Sequence, residues 1–228
     1  MTDPLLGLPL PAVWFGVVFA FLGTFLFLDG FDFGAGALFA MREDSPDREQ
    51  ILAAIGPFWD GNEVWLVVFG GALFAAFPGT YADLFSRNYL LLFGVLGTLM
   101  LRGLAPEFYE QREDERWRRW WGRSFVAGSI GSPFLLGVFV GNWLLGTAFA
   151  VESIVVGLAV VALTVVTGAA FLALKVAAPA PGLAADLRTW GLRAVVAYLG
   201  LVVVSLVALA LRPAVRDALL APVPVVLV

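Results

Sequence analysis

The chain of 228 residues has no cysteine and no histidine, and its methionines are Met1, Met41 and Met100 alone. Each absence removes a class of chemistry. Without thiols there is no disulfide framework, and redox compartment cannot be read from cysteine spacing. Without imidazole the chain lacks the commonest ligand of transition metals and haem iron. Met1 and Met41 fall at a terminus and a loop edge, so the chain is expected to bind no metal and no haem itself, and any redox centre is expected in a partner. Charge is scarce as well: Asp, Glu, Lys and Arg make up 14% of residues, against 61% hydrophobic. A water-soluble domain does not need that balance. No nucleic-acid partner is expected.

What the chain has in quantity is apolar runs long enough to cross a hydrocarbon core of about 30 Å. The fold class read from them is an all-α polytopic membrane protein with about six transmembrane helices. The expected spans are Pro11 to Ala40, Pro57 to Phe77, Arg87 to Leu104, Phe125 to Leu145, Ser153 to Val176 and Trp190 to Leu211. Between them lie a charged loop from Arg42 to Gln50, a short turn from Pro78 to Asp83, a basic segment from Gln111 to Arg123 and a Pro/Ala/Gly linker from Ala177 to Ala185. The tail from Arg212 to Val228 carries Pro213, Pro222 and Pro224 and is too interrupted to read as a further span. Asp3 stands where a signal peptide would be basic, and the first run is of full membrane length, so no cleaved leader is expected.

Loop charge predicts the orientation. Every basic residue except Arg87, Arg212 and Arg216 falls on loops one–two, three–four and five–six or the adjoining helix ends. Positive-inside reasoning puts those loops in the cytoplasm and the N-terminus outside, with Trp117, Trp120 and Trp121 as an interfacial belt.

Acids inside apolar runs are costly and point to function. Asp29 and Asp32 interrupt the first span three residues apart, on one helix face. Asp32 lies roughly 12 Å along the axis from the cytoplasmic end. Neither has a Lys or Arg in its own span, so each needs a partner from another helix or a bound proton. The alternative is a polar helix-packing contact without a transport role. In the second span, Asp60 and Glu63 share a face within the first two turns. They could form a capping box, but a helix starting at Asp60 would be short for a span, whereas one from Pro57 has the required length. Asp60 is therefore the favoured proton-exchanging acid. Glu107, at the cytoplasmic end of the third span, reads equally as a solvated loop acid. Asn142, beside Trp143, reads more readily as a helix–helix hydrogen bond than as a ligand.

Three stretches carry a family resemblance: Leu28-Asp29-Gly30-Phe31-Asp32-Phe33-Gly34, Gly56-Pro57-Phe58-Trp59-Asp60-Gly61-Asn62-Glu63-Val64-Trp65-Leu66, and Gly70-Gly71-Ala72-Leu73-Phe74-Ala75-Ala76-Phe77-Pro78. With Leu101-Arg102-Gly103, Trp117-Arg118-Arg119-Trp120-Trp121 and Gly137-Val138-Phe139-Val140-Gly141-Asn142 in the same order, the chain resembles subunit II of cytochrome bd-type ubiquinol oxidases, the cyanide-insensitive kind included. The match is dense over residues 14–146 and only hydropathic beyond Val151. The resemblance implies a terminal oxidase that reduces O2 to water with quinol electrons. Haem b, haem d and the quinol-oxidation site would belong to a larger subunit I, and this subunit would support haem assembly and a proton route from the cytoplasm. By carry-over, Asp60 would stand at the entrance of the proton path, Asp32 and Glu107 would support it, and Trp59 and Trp65 would shape the entrance. Expected partners are that haem-bearing subunit, the lipid of the plasma membrane, quinone (a structural quinone included, without assigned residues) and a small accessory subunit to be tested for.

Two departures stand out. Phe58 occupies a position where many relatives carry His, which removes a proton step there. The family usually forms two four-helix bundles, whereas this chain offers a first bundle over 1–150 and two further helices with a Pro-containing tail over 151–228, a second bundle left incomplete. A shortened variant or an incomplete reading frame is the expected explanation. The rivals are a stand-alone proton-coupled membrane transporter, which predicts a second copy of the acidic motif that residues 124–228 do not show, and a purely structural subunit.

Overall fold

The computed structural model describes residues 9–42, 45–176 and 181–212. The tail beyond Arg212, with Pro213, Arg216, Pro222 and Pro224, lies outside them, as do Met1, Asp3 and part of the expected linker at 177–180. Every regular element among the described residues is an α-helix: α1 (Leu10–Phe39), α2 (Ser45–Ile55), α3 (Trp59–Ala76), α4 (Pro78–Arg87), α5 (Tyr89–Glu110), α6 (Glu115–Leu145), α7 (Val151–Lys175) and α8 (Pro181–Ala210). In lipid the backbone must satisfy its own hydrogen bonds, which selects helix for each apolar run.

Five of these, α1, α5, α6, α7 and α8, are long and apolar enough to cross a membrane. The expected second span corresponds to α3, which has 18 residues and begins at Trp59 rather than Pro57. Its first turns hold Asp60, Asn62 and Glu63, so length and composition alone do not qualify it. Two segments expected as loop and turn are largely helical, α2 and α4. Pro78 sits in the first turn of α4, where its missing N–H costs nothing. The third expected span runs on through Pro106 to Glu110. The basic segment expected between spans three and four is mostly the first turns of α6. Gly146 closes α6 at a φ of 61°, donating its N–H back to the last turn, a conformation that favours glycine.

α1 packs against α3, α6 and α7, α5 against α6, and α8 against α7. Two apolar clusters fill the interior. One gathers Phe39, Ile51, Tyr109, Phe125, Leu172 and Leu187 at the end where α1 and α5 finish. The other gathers Val18, Phe25, Phe69, Leu99, Leu136 and Phe139 toward the opposite end. On α1, Asp29 and Asp32 lie between Phe25 and Phe39; on α5, Arg102 lies between Leu99 and Tyr109. Polar groups thus occupy the seam between two apolar cores. At the first end Arg42 joins α1 to α2 and α8 through Asp47 and Asp186.

Candidate functional site

The centre of the seam is Arg102, 1% exposed, one of the most fully buried large side chains of the molecule. A lone guanidinium at that depth must be met by opposite charge. Asp29 of α1 supplies it, with Oδ1 at 2.7 Å from Arg102 Nη2 and Oδ2 accepting from Nη1 at 3.3 Å. The shorter approach is an ion-pair contact without hydrogen-bond alignment, since both its atoms lack a bonded partner among the described residues. Asp32 Oδ2 stands 3.7 Å from Nη2. Glu63 of α3 completes the set, with Oε2 at 3.4 Å from Nη1. The guanidinium also lies over the Phe33 ring, 4.6 Å from its centre, and 5.9 Å from that of Trp59.

Asn62 joins α3 to α1. Its amide nitrogen donates to Asp32 Oδ2 at 2.8 Å and to the carbonyl of Leu28 at 3.4 Å. Three helices therefore converge on one polar cluster with three carboxyls and a single cation. Among the described residues, the carboxyls facing Arg102 outnumber it by two.

The structure brings Asp32 and Trp59 into this cluster. Trp59 is half-buried over Gly103, where an added Cβ would sit 3.2 Å from the indole ring. Asp60 stays outside, exposed in the first turn of α3, its Oδ1 accepting the N–H of Gly61 at 2.8 Å. It is not the N-cap, a position held by Phe58, so the capping-box alternative is set aside. Glu63, one turn further along the same face, has a side chain 30% exposed and touches both the surface and Arg102. Glu107 is exposed near the end of α5. Trp65 lies further along α3, half-buried against Phe21 with ring centres 6.0 Å apart, within the second apolar cluster.

Arg102 and Asn62 are the members that sequence reasoning left without a role. A basic residue between Leu101 and Leu104 was the available signal, because a cation in an apolar run needs an intramembrane partner. Asn142 ties α6 to the connections beside it: buried, it donates through Nδ2 to Asn88 Oδ1, between α4 and α5, at 2.8 Å and to the carbonyl of Ala148, in the loop after α6, at 2.9 Å. Asn142→Leu should cost about 1 kcal/mol, in the range of interhelical polar contacts in membranes. It should lower the melting temperature of the detergent-purified protein without altering turnover.

The family model described as cytochrome bd terminal oxidase subunit II matches residues 10–228. The chain is 40% identical over 143 residues to cytochrome bd-I ubiquinol oxidase subunit 2 of Escherichia coli (strain K12), covering 62% of this chain and 38% of that protein. It is 42% identical over 127 residues to cytochrome bd ubiquinol oxidase subunit 2 of Bacillus subtilis (strain 168), covering 55% of this chain and 38% of that one. The matched region thus spans less than two fifths of either relative's length.

Proposed function

The chain belongs to the cytochrome bd terminal oxidase subunit II family, and on that premise we propose that it is the haem-free subunit of a quinol oxidase, delivering protons from the cytoplasm to oxygen reduction in a haem-bearing partner. The observation that carries this reading is the buried Asp29–Asp32–Glu63–Arg102 cluster, reached from the surface along one face of α3. Asp60 takes protons at the surface, Glu63 passes them inward, and Asp32, oriented by Asn62, holds them beside Asp29. Arg102 keeps the carboxyls together. Trp59 covers the cluster beside Gly103, and Glu107 is a second surface acid at the same end of the bundle, supporting Asp60. Trp65 acts from further along α3 by fixing its packing on α1. Residues 1–150 carry the acidic motifs, and in the region 151–228 α7 braces α1 while α8 packs on α7.

The donor set supports placing the haems elsewhere. The chain has no His or Cys, while Met41 and Met100 are 39% and 65% exposed at separate places on the bundle. These residues do not fit an axial haem site, and no step of this chain is routed through one. The haems, haem b and haem d, would supply the electron chemistry from the partner subunit. Positive-inside charge supports an arrangement with the basic loops in the cytoplasm and the N-terminus outside the plasma membrane. Quinol oxidised outside and protons drawn from inside would then separate charge without a pumping stroke.

Asp60→Asn removes the surface carboxyl while keeping its shape and its hydrogen bond to Gly61. Quinol-driven oxygen uptake by the purified complex should fall about 10-fold. That is less than the 10²–10⁴ typical of a proton transfer at a reacting atom, because water can partly replace an exposed relay. Haem content, read from the reduced-minus-oxidised spectrum, should stay near normal. Unchanged uptake would remove Asp60 from the path.

A further inference from the structure

Where α1 and α5 end and α6 begins, a cavity of about 770 Å³ opens at the basic end of the bundle. Four arginines line it, Arg48 from α2 and Arg118, Arg119 and Arg123 from α6, with Glu113 and Glu115 as its acids. Arginines thus outnumber acids in the lining by two, and Glu49 outside it offsets one of them. Arg118 is engaged by Glu49 at 3.2 Å, and Arg119 by Glu115 at 3.6 Å. Arg48 and Arg123 have no carboxylate partner among the described residues. Arg48 rests on the Phe39 ring at 4.8 Å, and its Nε is buried without a hydrogen-bond acceptor. A buried N–H without an acceptor is costly, and an oxyanion in the cavity would remove that cost.

The remaining wall is formed by Tyr109, Gly122 and the apolar Ala40, Val126 and Ala127. Ala127 and Ile130, three residues apart on α6, continue it as an exposed stripe away from the arginines. Trp120, 67% exposed one turn from Arg123, suits the depth of the lipid head groups. A soluble anion would use the arginines and leave the stripe bare. A ligand with an anionic head and an apolar tail uses both.

We propose that this cavity binds the phosphodiester head group of an anionic phospholipid, held by Arg48 and Arg123 with its acyl chains along Ala127 and Ile130 of α6. Guanidinium forks suit phosphate oxygens, and basic pockets between membrane helices are suited to anionic head groups. The site shares no residue with the proposed proton path, so it stands or falls independently of the oxidase reading.

The test uses the complex purified from its native membrane, stripped of lipid by detergent exchange, and titrated with phosphatidylglycerol or phosphatidylcholine while occupancy is read by native mass spectrometry. Wild type should take up phosphatidylglycerol with about a 10-fold preference, the equivalent of about 1.4 kcal/mol. The double variant R48Q/R123Q should lose that preference, and the single variant R123Q, which leaves the buried Arg48 in place, should reduce it. Equal uptake of the two lipids by wild type, or an undiminished preference in R123Q, would overturn the proposal. Displacement of phosphatidylglycerol by millimolar inorganic phosphate would also overturn it, in favour of a soluble anion.

Discussion

Arg102→Gln should destabilise the protein by about 3–5 kcal/mol, the cost of removing one partner from a buried ion pair. Neutral polar contacts between membrane helices average only about 0.6 kcal/mol, but this is a different case. Asp29 and Arg102 are 0% and 1% exposed, and Asp32 and Glu63 face the same guanidinium. Glutamine would leave three carboxyls converging with no cation among them. Arg102→Lys should be intermediate, because one ammonium cannot reach both oxygens of Asp29 and Glu63 as a planar fork does. Asp29→Asn combined with Arg102→Gln should be milder than Arg102→Gln alone, since it removes a carboxylate together with the cation that balanced it. Thermal melts of the purified complex, followed by tryptophan fluorescence, would read all three. A loss for Arg102→Gln smaller than that for Asn142→Leu would show that Arg102 is not what holds the seam together.

Gly34→Ala should be as damaging, although it adds one methyl group. α1 and α7 meet backbone to backbone: a Cβ on Gly34 would lie 1.8 Å from the carbonyl oxygen of Thr164, and one on Gly168 would lie 2.5 Å from the carbonyl carbon of Gly34. Neither obstacle is a flexible side chain, so the helices must separate. Separation would open the stack of Phe31 on Phe171, now 4.4 Å apart and nearly parallel, and would shift Asp32 two residues away. Overpacking costs about 1–3 kcal/mol where side chains can give way, and a backbone clash puts this variant at or above the upper end. Gly23→Ala is the control, since a Cβ there meets nothing within 4 Å. It should be neutral or slightly stabilising, as expected for glycine replaced by alanine in an open helical position. Equal melting temperatures for the two variants would refute the close approach of α1 and α7.

Much of the fold was legible because a membrane makes one signal dominant. Apolar runs of span length must be helical, and the bounds expected for the first and fifth spans fall within two residues of α1 and α7. α2 and α4 escaped notice because they are short and mixed in composition, and neither contains an apolar run of membrane length. α3 was read as an ordinary span because Pro57 and Phe58 precede it. The structure begins the helix at Trp59 and leaves its polar first turns beside α1.

The candidate site divides in the same way. Asp29, Asp32, Asp60 and Glu63 were visible as acids where acids are expensive, and their spacing showed which shared a face. Their cation was not assigned, because Arg102 is 70 or more positions from the two aspartates along the chain and was read as the end of its span. Asn62 was invisible for the same reason: nothing in its neighbours says that it crosses to Asp32.

By itself the sequence determined that this is a helical membrane protein without histidine or cysteine, with acids in its first helices and arginines concentrated toward one end. Composition and one-dimensional spacing suffice for that, since burial cost and helix geometry act locally. Only the tertiary structure decided which charges neutralise each other, which glycines bring backbones into contact, and that Arg48 and Arg123 border a shared cavity without carboxylate partners among the described residues. Those outcomes depend on helices distant in sequence meeting at a particular depth and rotation, and packing sets both.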